Sequence, residues 1–481
     1  MSQAAPYPFD LGRYRRATST PFAEAQRWFD RGLVWSYAFN HGEAIRCFER
    51  AIACDEDFAL AHWGVAYASG PNYNKQWDAF DDLDLRRSLR RSYDDTIQAR
   101  ELAAGAWPVE QRLIAALGER YASPEPSDDL DRWTAAYAQA MGDVYAAHSG
   151  DLDVAALYAD ALMNVTAWSL WDLETGEPAD GAHTLEARRV LETALARPGG
   201  DGHPLYRVHN HHFRIYGAMF AGRRGTALAA ADALAASIPE DLLRVEVPPM
   251  ADWLESFVPM RLHVLVRFGL WEEIIAEPLP ADPGLYCVSA ALTRYAKGVA
   301  FAATSCVADA EREREAFAAA VSRVPESRYL FNNTARDILA VAGAMLDGEL
   351  EYRRGNHEEA WRHLRRAIEL DDTLPYDEPW GWMQPTRHAY GALLLEQGEV
   401  ESAAAVYAAD LGLDATLPRA CQHPSNVWSL DGYHECLSRL GRTDEARGIK
   451  PQLDRALAQA DIEITSSCFC RMRARSPLAG T

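Results

Sequence analysis

The chain has 481 residues, and its 48% hydrophobic and 25% charged content is ordinary for a folded protein. A net charge of −22 repels nucleic acid phosphates and anionic lipid surfaces, so neither nucleic acid nor a membrane is an expected partner. The first 20 residues lack the apolar core of a secretory signal, no run of about 18 apolar residues occurs, and eight cysteines are too few for a disulfide framework. These features predict a cytoplasmic protein with reduced thiols.

Near the N-terminus, small and aromatic residues recur at regular offsets. They are Trp28, Gly32, Trp35, Ala44, Phe48 and Ala51, and Gly64 and Tyr67 start a second unit. This is the spacing of a helix-turn-helix repeat of about 34 residues, the tetratricopeptide (TPR) repeat. In such a repeat, small residues let two helices approach closely and aromatic residues fill the space beside the contact. We expect clear repeats over about 25–70, after an N-terminal arm at 1–21.

The same spacing returns late in the chain. The residues that carry it are Gly348, Gly355, Ala360, Leu364 and Ala367, then Gly391, Gly398, Ala403 and Tyr407, and finally Gly441 and Ala446. An insert at 374–385 lengthens one step, and its prolines forbid a regular helix. Clear repeats are therefore expected over about 340–450. Between the two ends, helical periodicity continues with a weak repeat signal, and strand patterns are essentially absent.

These patterns predict an all-α fold, an α-solenoid of TPR-like helix-turn-helix repeats that forms a superhelix and is degenerate in the middle. We expect a single domain over 22–470. The basic tail at 471–481 lacks periodicity and is expected to be flexible.

Several segments also resemble a large family of microbial TPR-domain proteins of about this length. They are "YAFNHGEAIRCF", "HWGVAYASGPNYN", "LPYDEPWGW" and "SSCFCR". The resemblance implies a TPR-like superhelix throughout, and it implies no agreed activity. In similar proteins the middle carries more histidines, and this chain has Tyr216 and Pro259 where two of them often stand. If those histidines form a site in relatives, this chain keeps part of it.

The first candidate for chemistry is a histidine cluster. His209 and His212 are three residues apart and would share one face of a helix. A third ligand would come from another repeat, and the candidates are His41, His62 and His263, of which His263 completes the set we predict. Imidazole ligands suit a transition metal such as Zn, Cu or Fe. The alternative is that these histidines pack in a groove and bond to the backbone without a metal, because no HExxH motif and no regularly spaced pair of carboxylates accompanies them.

A second, weaker metal candidate combines two soft pairs. Cys421 and His423 precede a helix, and Cys468 and Cys470 follow the last one. The pairs would meet if the C-terminal segment folds back. His434 and Cys436, on the helix between them, fall on opposite edges of an apolar stripe and cannot easily hold the same ion. Packing of the last helices is the alternative interpretation.

Candidate residues for a ligand groove come from the first helices of the repeats and from probable loops. They are His41, His62, Asn72, Asn74, Trp380 and Trp382. A lysine-based clamp for a peptide carboxylate is not supported, because only Lys75, Lys297 and Lys450 are available and none lies in the first helix of a clear repeat. Arginine could take that role, since it binds carboxylates with two parallel hydrogen bonds.

The sequence thus favours a TPR-repeat scaffold that binds a protein, peptide or small ligand in a concave groove. The alternative is a metal-dependent enzyme or small-molecule-binding protein that uses the histidine cluster. No catalytic residue can be assigned from the sequence, and no cofactor is firmly implied. Self-association as a homo-oligomer is compatible with either hypothesis.

Overall fold

The computed structural model describes Tyr7, Phe9 and residues 11–173, 175–195 and 204–471, with the backbone alone at 204–207. The chain divides into two compact units, Met1–His203 and Pro204–Thr481. We call them unit 1 and unit 2. The single domain predicted over 22–470 spans both and stays a prediction. Of the arm predicted at 1–21, residues 1–6, 8 and 10 lie outside the described residues, as does the predicted tail beyond Arg471.

The described part of unit 1 is a succession of α-helices, each packed on its neighbours in the chain. The helices are α1 (Ala23–Tyr37), α2 (His41–Cys54), α3 (Ala59–Ser69), α4 (Asp82–Leu102), α5 (Pro108–Leu117), α6 (Leu130–Ala147), α7 (Leu152–Asn164) and α8 (Thr184–Leu195). Polar side chains begin several of them: Asp151, for example, accepts hydrogen bonds from two backbone N–H groups at the start of α7.

The repeat spacing of the sequence becomes a packing contact in unit 1. The ring of Phe48 on α2 lies against Gly32 on α1 and Gly64 on α3, and a methyl group at either glycine would overlap this ring. Phe48 is 0% exposed, so the small residues allow three helices to bury one aromatic ring. The TPR-like contact predicted for Gly32 and Phe48 is confirmed.

Trp28 and Trp35, expected to fill the same space, are only partly buried. They share a different face of α1, where Trp28 packs edge-on against Tyr7 with ring centroids 5.2 Å apart. Phe29 takes the inner position instead, and its ring centroid lies 5.4 Å from that of Phe48. Both tryptophans pack against the same core while staying partly buried, and Phe29, the residue after Trp28, takes the fully buried position.

The segment that precedes α1 packs against unit 1. Both the N–H and the hydroxyl of Thr18 donate to Oε1 of Gln26, at 3.1 and 2.7 Å. Nη1 of Arg16 donates to Asp151 at 2.9 Å and to Asp153 at 2.8 Å. The described residues of the predicted arm are therefore bonded to α1 and to the start of α7.

In the described part of unit 2, helices again follow one another and pack on their chain neighbours. They are α9 (Pro204–Phe220), α10 (Arg224–Ala236), α11 (Glu240–Leu243), α12 (Met250–Leu254), α13 (Met260–Arg267), α14 (Trp271–Ala276), α15 (Cys287–Ala303), α16 (Val307–Val321), α17 (Ala335–Arg353), α18 (His357–Asp372), α19 (Thr386–Gln397), α20 (Val400–Leu411), α21 (Val427–Arg439) and α22 (Thr443–Gln459). One short antiparallel pair, β1 (Tyr329–Leu330) and β2 (Asn333–Thr334), precedes α17.

The late repeats show the same contact as the early one. The ring of Tyr407 on α20 lies between Gly391 on α19 and Gly432 on α21, and Leu364 on α18 packs against Gly348 on α17. Contacts between α19 and α21, and between α15 and α17, add the second-neighbour packing expected of stacked helix pairs. These contacts and the near absence of strands in the described residues confirm an all-α helical-repeat fold. No helix of the described residues is both long and apolar enough to cross a membrane.

Candidate functional site

Unit 1 contains a polar cavity of about 230 Å³ near the ends of several helices. It lies after α3, after α5, at the first turns of α6 and at the end of α7. The lining residues are Pro71, Gln76, Trp77, Asp78, Arg120, Asp131, Thr134, Asn164 and Val165. Residues far apart in the sequence therefore meet at one place.

Arg120 is held at the cavity by the turn that ends α5. Its backbone N–H donates to the carbonyl of Leu117 at 3.0 Å. The next residue, Tyr121, is buried, and its hydroxyl donates to the carbonyl of Ala66 on α3 at 3.1 Å. A methyl group at Gly70 would overlap that hydroxyl, so the glycine at the end of α3 allows the tyrosine to reach its acceptor. The anchored tyrosine fixes the backbone from which Arg120 extends.

The guanidinium group of Arg120 is buried without a hydrogen-bonding partner. Arg120 is 0% exposed, and Nε, Nη1 and Nη2 all lack an acceptor. Its central carbon lies 5.0 Å from the ring centroid of Tyr137 on α6, which is a cation–π contact. A guanidinium keeps its charge in proteins and carries five donors, so an unpaired one in the interior is energetically unfavourable.

Asp160 on α7 is close enough to feel the charge of Arg120 but forms no ion pair with it. Its carboxylate accepts hydrogen bonds from Tyr67 at 3.1 Å and from Asn164 at 3.0 Å. Burial raises the pKa of Asp160, while the charge of Arg120 and these two hydrogen bonds act in the opposite direction. Asp160 thus interacts with the arginine charge through space and leaves the donors of the guanidinium unused.

Other polar groups near Arg120 also lack partners. Both ring nitrogens of His41, the first residue of α2, are buried without a hydrogen bond, as is the hydroxyl of Tyr137. Burial and the positive charge of Arg120 lower the pKa of His41, which favours the neutral imidazole. A ligand rich in acceptor atoms would satisfy the donors that the protein leaves unused.

The remaining polar residues of the cavity fall into two groups. Gln76 donates to the carbonyl of Ala167 at 3.2 Å, and Thr134 accepts from Trp77 at 3.2 Å, so both are held in place. Asp78 and Asp131 are exposed and form no hydrogen bond or ion pair with other described residues. The cavity therefore has a buried cation in its wall and two free carboxylates toward solvent.

The groove candidates of unit 1 are not among the residues that line this cavity. Nδ1 of His62 lies 2.9 Å from Oδ1 of Asp95, and this hydrogen bond joins α3 to α4. Oδ1 of Asn72 accepts from the backbone N–H groups of Asn74 and Lys75 at 3.0 and 3.2 Å, which closes the turn after Pro71. Asn74 itself is exposed in that turn. Of the groove candidates in unit 1, His41 is the one whose ring nitrogens are buried without a hydrogen-bonding partner.

In unit 2, the histidines at 209, 212 and 263 lie among aromatic rings. His212 is buried, packs against Phe257 and Phe331, and its Nε2 lies 2.8 Å from the sulfur of Met383. His263 packs edge-on against Trp382 with centroids 5.1 Å apart. Burial, with the charges of His209 and His263, lowers the pKa of His212 to about 3, and burial lowers that of His263 to about 4.

The candidate metal ligands are not arranged as a metal site in the described residues. Among these, no three His, Cys, Asp or Glu side chains form a group that could hold a metal ion. The Nδ1 atoms of His209, His212 and His263 are buried without a partner. Each ring therefore has one nitrogen that forms no hydrogen bond within the protein. A metal role for these three histidines stays a prediction.

The two tryptophans of the insert are part of the core. Trp380 is 9% exposed and donates from Nε1 to Asp371 at 3.0 Å, and Trp382 is 1% exposed beside Tyr295. Neither presents its ring to solvent, so the expectation that they line an open groove is corrected. The predicted break in the helices is observed, since α18 ends at Asp372 and α19 begins at Thr386.

Cys421 and His423 are engaged separately. The thiol of Cys421 donates to the carbonyl of Asp372 at 3.8 Å, and burial with nearby carboxylates raises its pKa to about 11. Nδ1 of His423 bonds to Oδ1 of Asp410 at 2.8 Å. The two side chains therefore have separate partners in the described residues, and a metal role for this pair stays a prediction.

Asp410 is the centre of a buried network that the sequence did not indicate. The residue is 0% exposed, and its Oδ2 accepts from Ser429 at 2.6 Å, from Asn426 at 3.0 Å and from Nε2 of His388 at 2.9 Å. Burial alone would raise the pKa of Asp410, but the charges of and hydrogen bonds from His388 and His423 hold it well below its usual range.

The network continues from His388 to Arg267. Nη1 of Arg267 donates to Nδ1 of His388 at 2.7 Å, which leaves the imidazole proton on Nε2, facing Asp410. Burial lowers the pKa of His388 to about 4 and that of Arg267 to about 9. A neutral histidine therefore bridges a buried cation and a buried anion.

The C-terminal segment folds back onto this network, as the second metal hypothesis required. Arg267 also donates to the carbonyl of Ser467, and the Ser467 hydroxyl donates to the carbonyl of His388 at 2.9 Å. Cys468 and Cys470, however, are joined as a disulfide. The expectation of reduced thiols is corrected for this pair, and disulfide sulfurs are not thiolate ligands.

Sequence reasoning missed Arg120 and Asp410. Arg120 stands in "LGERYAS", a polar stretch in which an arginine is ordinarily exposed. No local pattern distinguishes it, because its burial comes from contacts with α3, α6 and α7. The same holds for Asp410, whose partners come from α19, α21 and the loop before α21.

No family model matches the chain, and no curated protein matches it. Solved structures that it resembles include yeast Tom70, with 11% identity, a TM-score of 0.28 and coverage of 90% of this chain and 92% of that one. The TPR domain of P58(IPK) has 13% identity, a TM-score of 0.19 and coverage of 91% and 98%. Naa15/Naa10 bound to HypK-THB has 13% identity, a TM-score of 0.19 and coverage of 90% and 70%. Since all three TM-scores are low, the fold assignment rests on the helix packing described above.

Proposed function

We propose that this protein is a helical-repeat binding protein whose unit 1 takes up the carboxylate of a ligand at Arg120. One observation carries the proposal: Arg120 is 0% exposed, none of its three guanidinium nitrogens has a partner, and the residue is one of those that line a polar cavity of about 230 Å³. Burying a charged group without a partner is costly, so a missing acceptor is the simplest physical account.

A carboxylate matches this environment better than a phosphate. The guanidinium offers two parallel donors, which is the geometry of a carboxylate. Arg120 is the one cation among the described lining residues. A dianionic phosphate would add a second negative charge next to Asp78 and Asp131, whereas a carboxylate adds one.

The proposal is for binding rather than catalysis. The described residues that line the cavity pair no nucleophile with a base at hydrogen-bonding distance. The carboxylate could belong to a small molecule or to the C-terminus of a peptide, since both offer the same group to Arg120. The metal-dependent enzyme remains the second hypothesis, and no described contact favours it.

A thermal-shift screen of the full chain tests this function. The panel contains acetate, propionate, succinate, the standard L-amino acids, short peptides with a free C-terminus and inorganic phosphate. The matched variant Arg120→Met keeps the length of the side chain and removes its charge and donors. We expect at least one carboxylate to raise Tm in a concentration-dependent way for the natural protein and not for the variant. The proposal fails if no carboxylate stabilises the protein, or if Arg120→Met responds equally.

A further inference from the structure

The positive and negative charges that line the cavity of unit 1 differ in burial. Arg120 is fully buried in its wall, whereas Asp78 and Asp131 are exposed. Asp78 follows α3 and Asp131 lies in the first turn of α6, so two different elements bring a carboxylate to the same opening. Neither carboxylate has an ion-pair partner among the described residues, although Arg132, next to Asp131, pairs with Asp129 at 3.0 Å.

This arrangement selects among ligands that carry a carboxylate. A simple acid that reaches Arg120 passes two negative charges and gains nothing from them. A ligand that also carries an ammonium group places a positive charge where the two aspartates lie, and is attracted by both. In the proposed function the buried, unpartnered guanidinium takes the anionic end of the ligand, and the two aspartates favour a positive charge at its other end.

Resting on the proposed function, we infer that the ligand is a small zwitterion of the amino acid class. Its carboxylate binds Arg120, and its ammonium group faces Asp78 and Asp131. Side chains already held by the protein, Gln76, Thr134 and Asn164, line the same cavity. A cavity of about 230 Å³ admits a free amino acid whole, which a docked peptide terminus does not require.

The decisive comparison uses pairs of probes that differ in one charge. Each standard L-amino acid is titrated into the full chain beside its N-acetyl derivative, which keeps the carboxylate, replaces the ammonium by a neutral amide and mimics a peptide C-terminus. We expect the best-binding amino acid to bind about threefold to tenfold more tightly than its N-acetyl form, since exposed charge pairs contribute modestly. The preference should shrink as salt is raised, because the aspartates are exposed.

Two variants isolate the aspartates. In the double variant Asp78→Asn, Asp131→Asn the preference for the amino acid over its N-acetyl form should disappear, while the N-acetyl form binds as well as before or better. The variant Asp128→Asn removes a nearby exposed carboxylate that does not line the cavity, and it should keep the preference.

The outcomes separate the two proposals. If the N-acetyl form binds as tightly as the amino acid and the double variant changes nothing, the zwitterion inference is overturned and carboxylate binding at Arg120 stands, with a peptide terminus as its source. If neither probe of any pair binds, and Arg120→Met behaves as the natural protein does, both proposals fail.

Discussion

The guanidinium of Arg120 lies over the ring of Tyr137, with its central carbon 5.0 Å from the ring centroid. The contact places the cation against α6. None of the three guanidinium nitrogens has a hydrogen-bond acceptor there, so this contact holds the arginine without satisfying its donors.

Substitution of Arg120 should stabilise the free protein. Arg120→Met replaces an unpaired buried charge with an apolar side chain of similar length, and we expect the free energy of unfolding to rise by about 1–4 kcal/mol. Urea unfolding followed by tryptophan fluorescence measures the change.

The matched control is Arg16→Met, which also removes a buried arginine of unit 1. Arg16 is paired with Asp151 and Asp153, so its loss should lower stability by about 3 kcal/mol. If both variants destabilise the protein to the same extent, Arg120 has a partner in the free protein, and the argument for a missing anion fails.

The glycine contacts of the repeats predict opposite effects for two similar substitutions. Gly391→Ala drives a methyl group into the ring of Tyr407, and we expect it to cost about 1–3 kcal/mol. Gly448→Ala lies within α22 with nothing near its added methyl group, and it should stabilise the protein by about 0.5–1 kcal/mol. Thermal unfolding of the two variants decides. Stabilisation by Gly391→Ala would contradict the packing of Tyr407 between α19 and α21.

The buried histidines predict how unit 2 responds to acid. The pKa values of His212, His263 and His388 are lowered to about 3, 4 and 4, so the folded state keeps these rings neutral where the unfolded chain, with histidine pKa values near 6.5, takes up protons. Their contribution to stability is present above about pH 6.5 and is lost as the pH falls toward 4.

The pH dependence can be assigned to one histidine. Each buried neutral histidine should add a slope of about 1.4 kcal/mol per pH unit between pH 4 and 6. His212→Phe keeps an aromatic ring beside Phe257 and Phe331. It should reduce the slope of the free energy of unfolding against pH by the amount that one proton contributes. Urea midpoints measured at several pH values test this. An unchanged slope would mean that His212 is protonated in the folded state.

The C-terminal segment should contribute to the stability of unit 2 through Arg471. Its guanidinium forms two hydrogen bonds to Glu435, at 2.7 and 2.9 Å, and both side chains are buried. Arg471→Met leaves the buried carboxylate without this partner and should cost about 3 kcal/mol. The double variant Arg471→Met, Glu435→Met should recover much of that loss. Equal stability of the single variant and the natural protein would show that the segment is not bound in solution.

Short-range spacing predicted the contacts that repeat. Gly32 with Phe48 and Gly391 with Tyr407 were predictable because each pair lies within one helix-turn-helix unit, where sequence offset sets distance. The break at the insert was predictable for a similar reason, since proline excludes a regular helix. The buried face of α1 was not predictable. Whether Trp28 or Phe29 is fully buried depends on which other helices pack against α1.

The candidate site could not be predicted in the same way. Arg120, Asp160 and Thr134 come from three helices or their ends, and nothing in a single sequence brings them together. The charge of His263 affects the pKa of His212, so these two histidines interact, and their role as metal ligands stays a prediction. Their aromatic surroundings were not foreseen, because Phe257, Phe331 and Trp382 come from other segments. Trp382 shows the same limit. An aromatic residue between prolines is predicted to lie on a loop, and its burial depends on segments that are distant in the sequence.

The central claim is that a ligand carboxylate binds Arg120, and calorimetric titration tests it most directly. The acid that gives the largest thermal shift is titrated into the natural protein and into Arg120→Met under the same conditions. Removal of the guanidinium should weaken binding by about 100-fold, as expected for a buried charge-assisted pair. Dissociation constants that agree within about twofold would contradict the account.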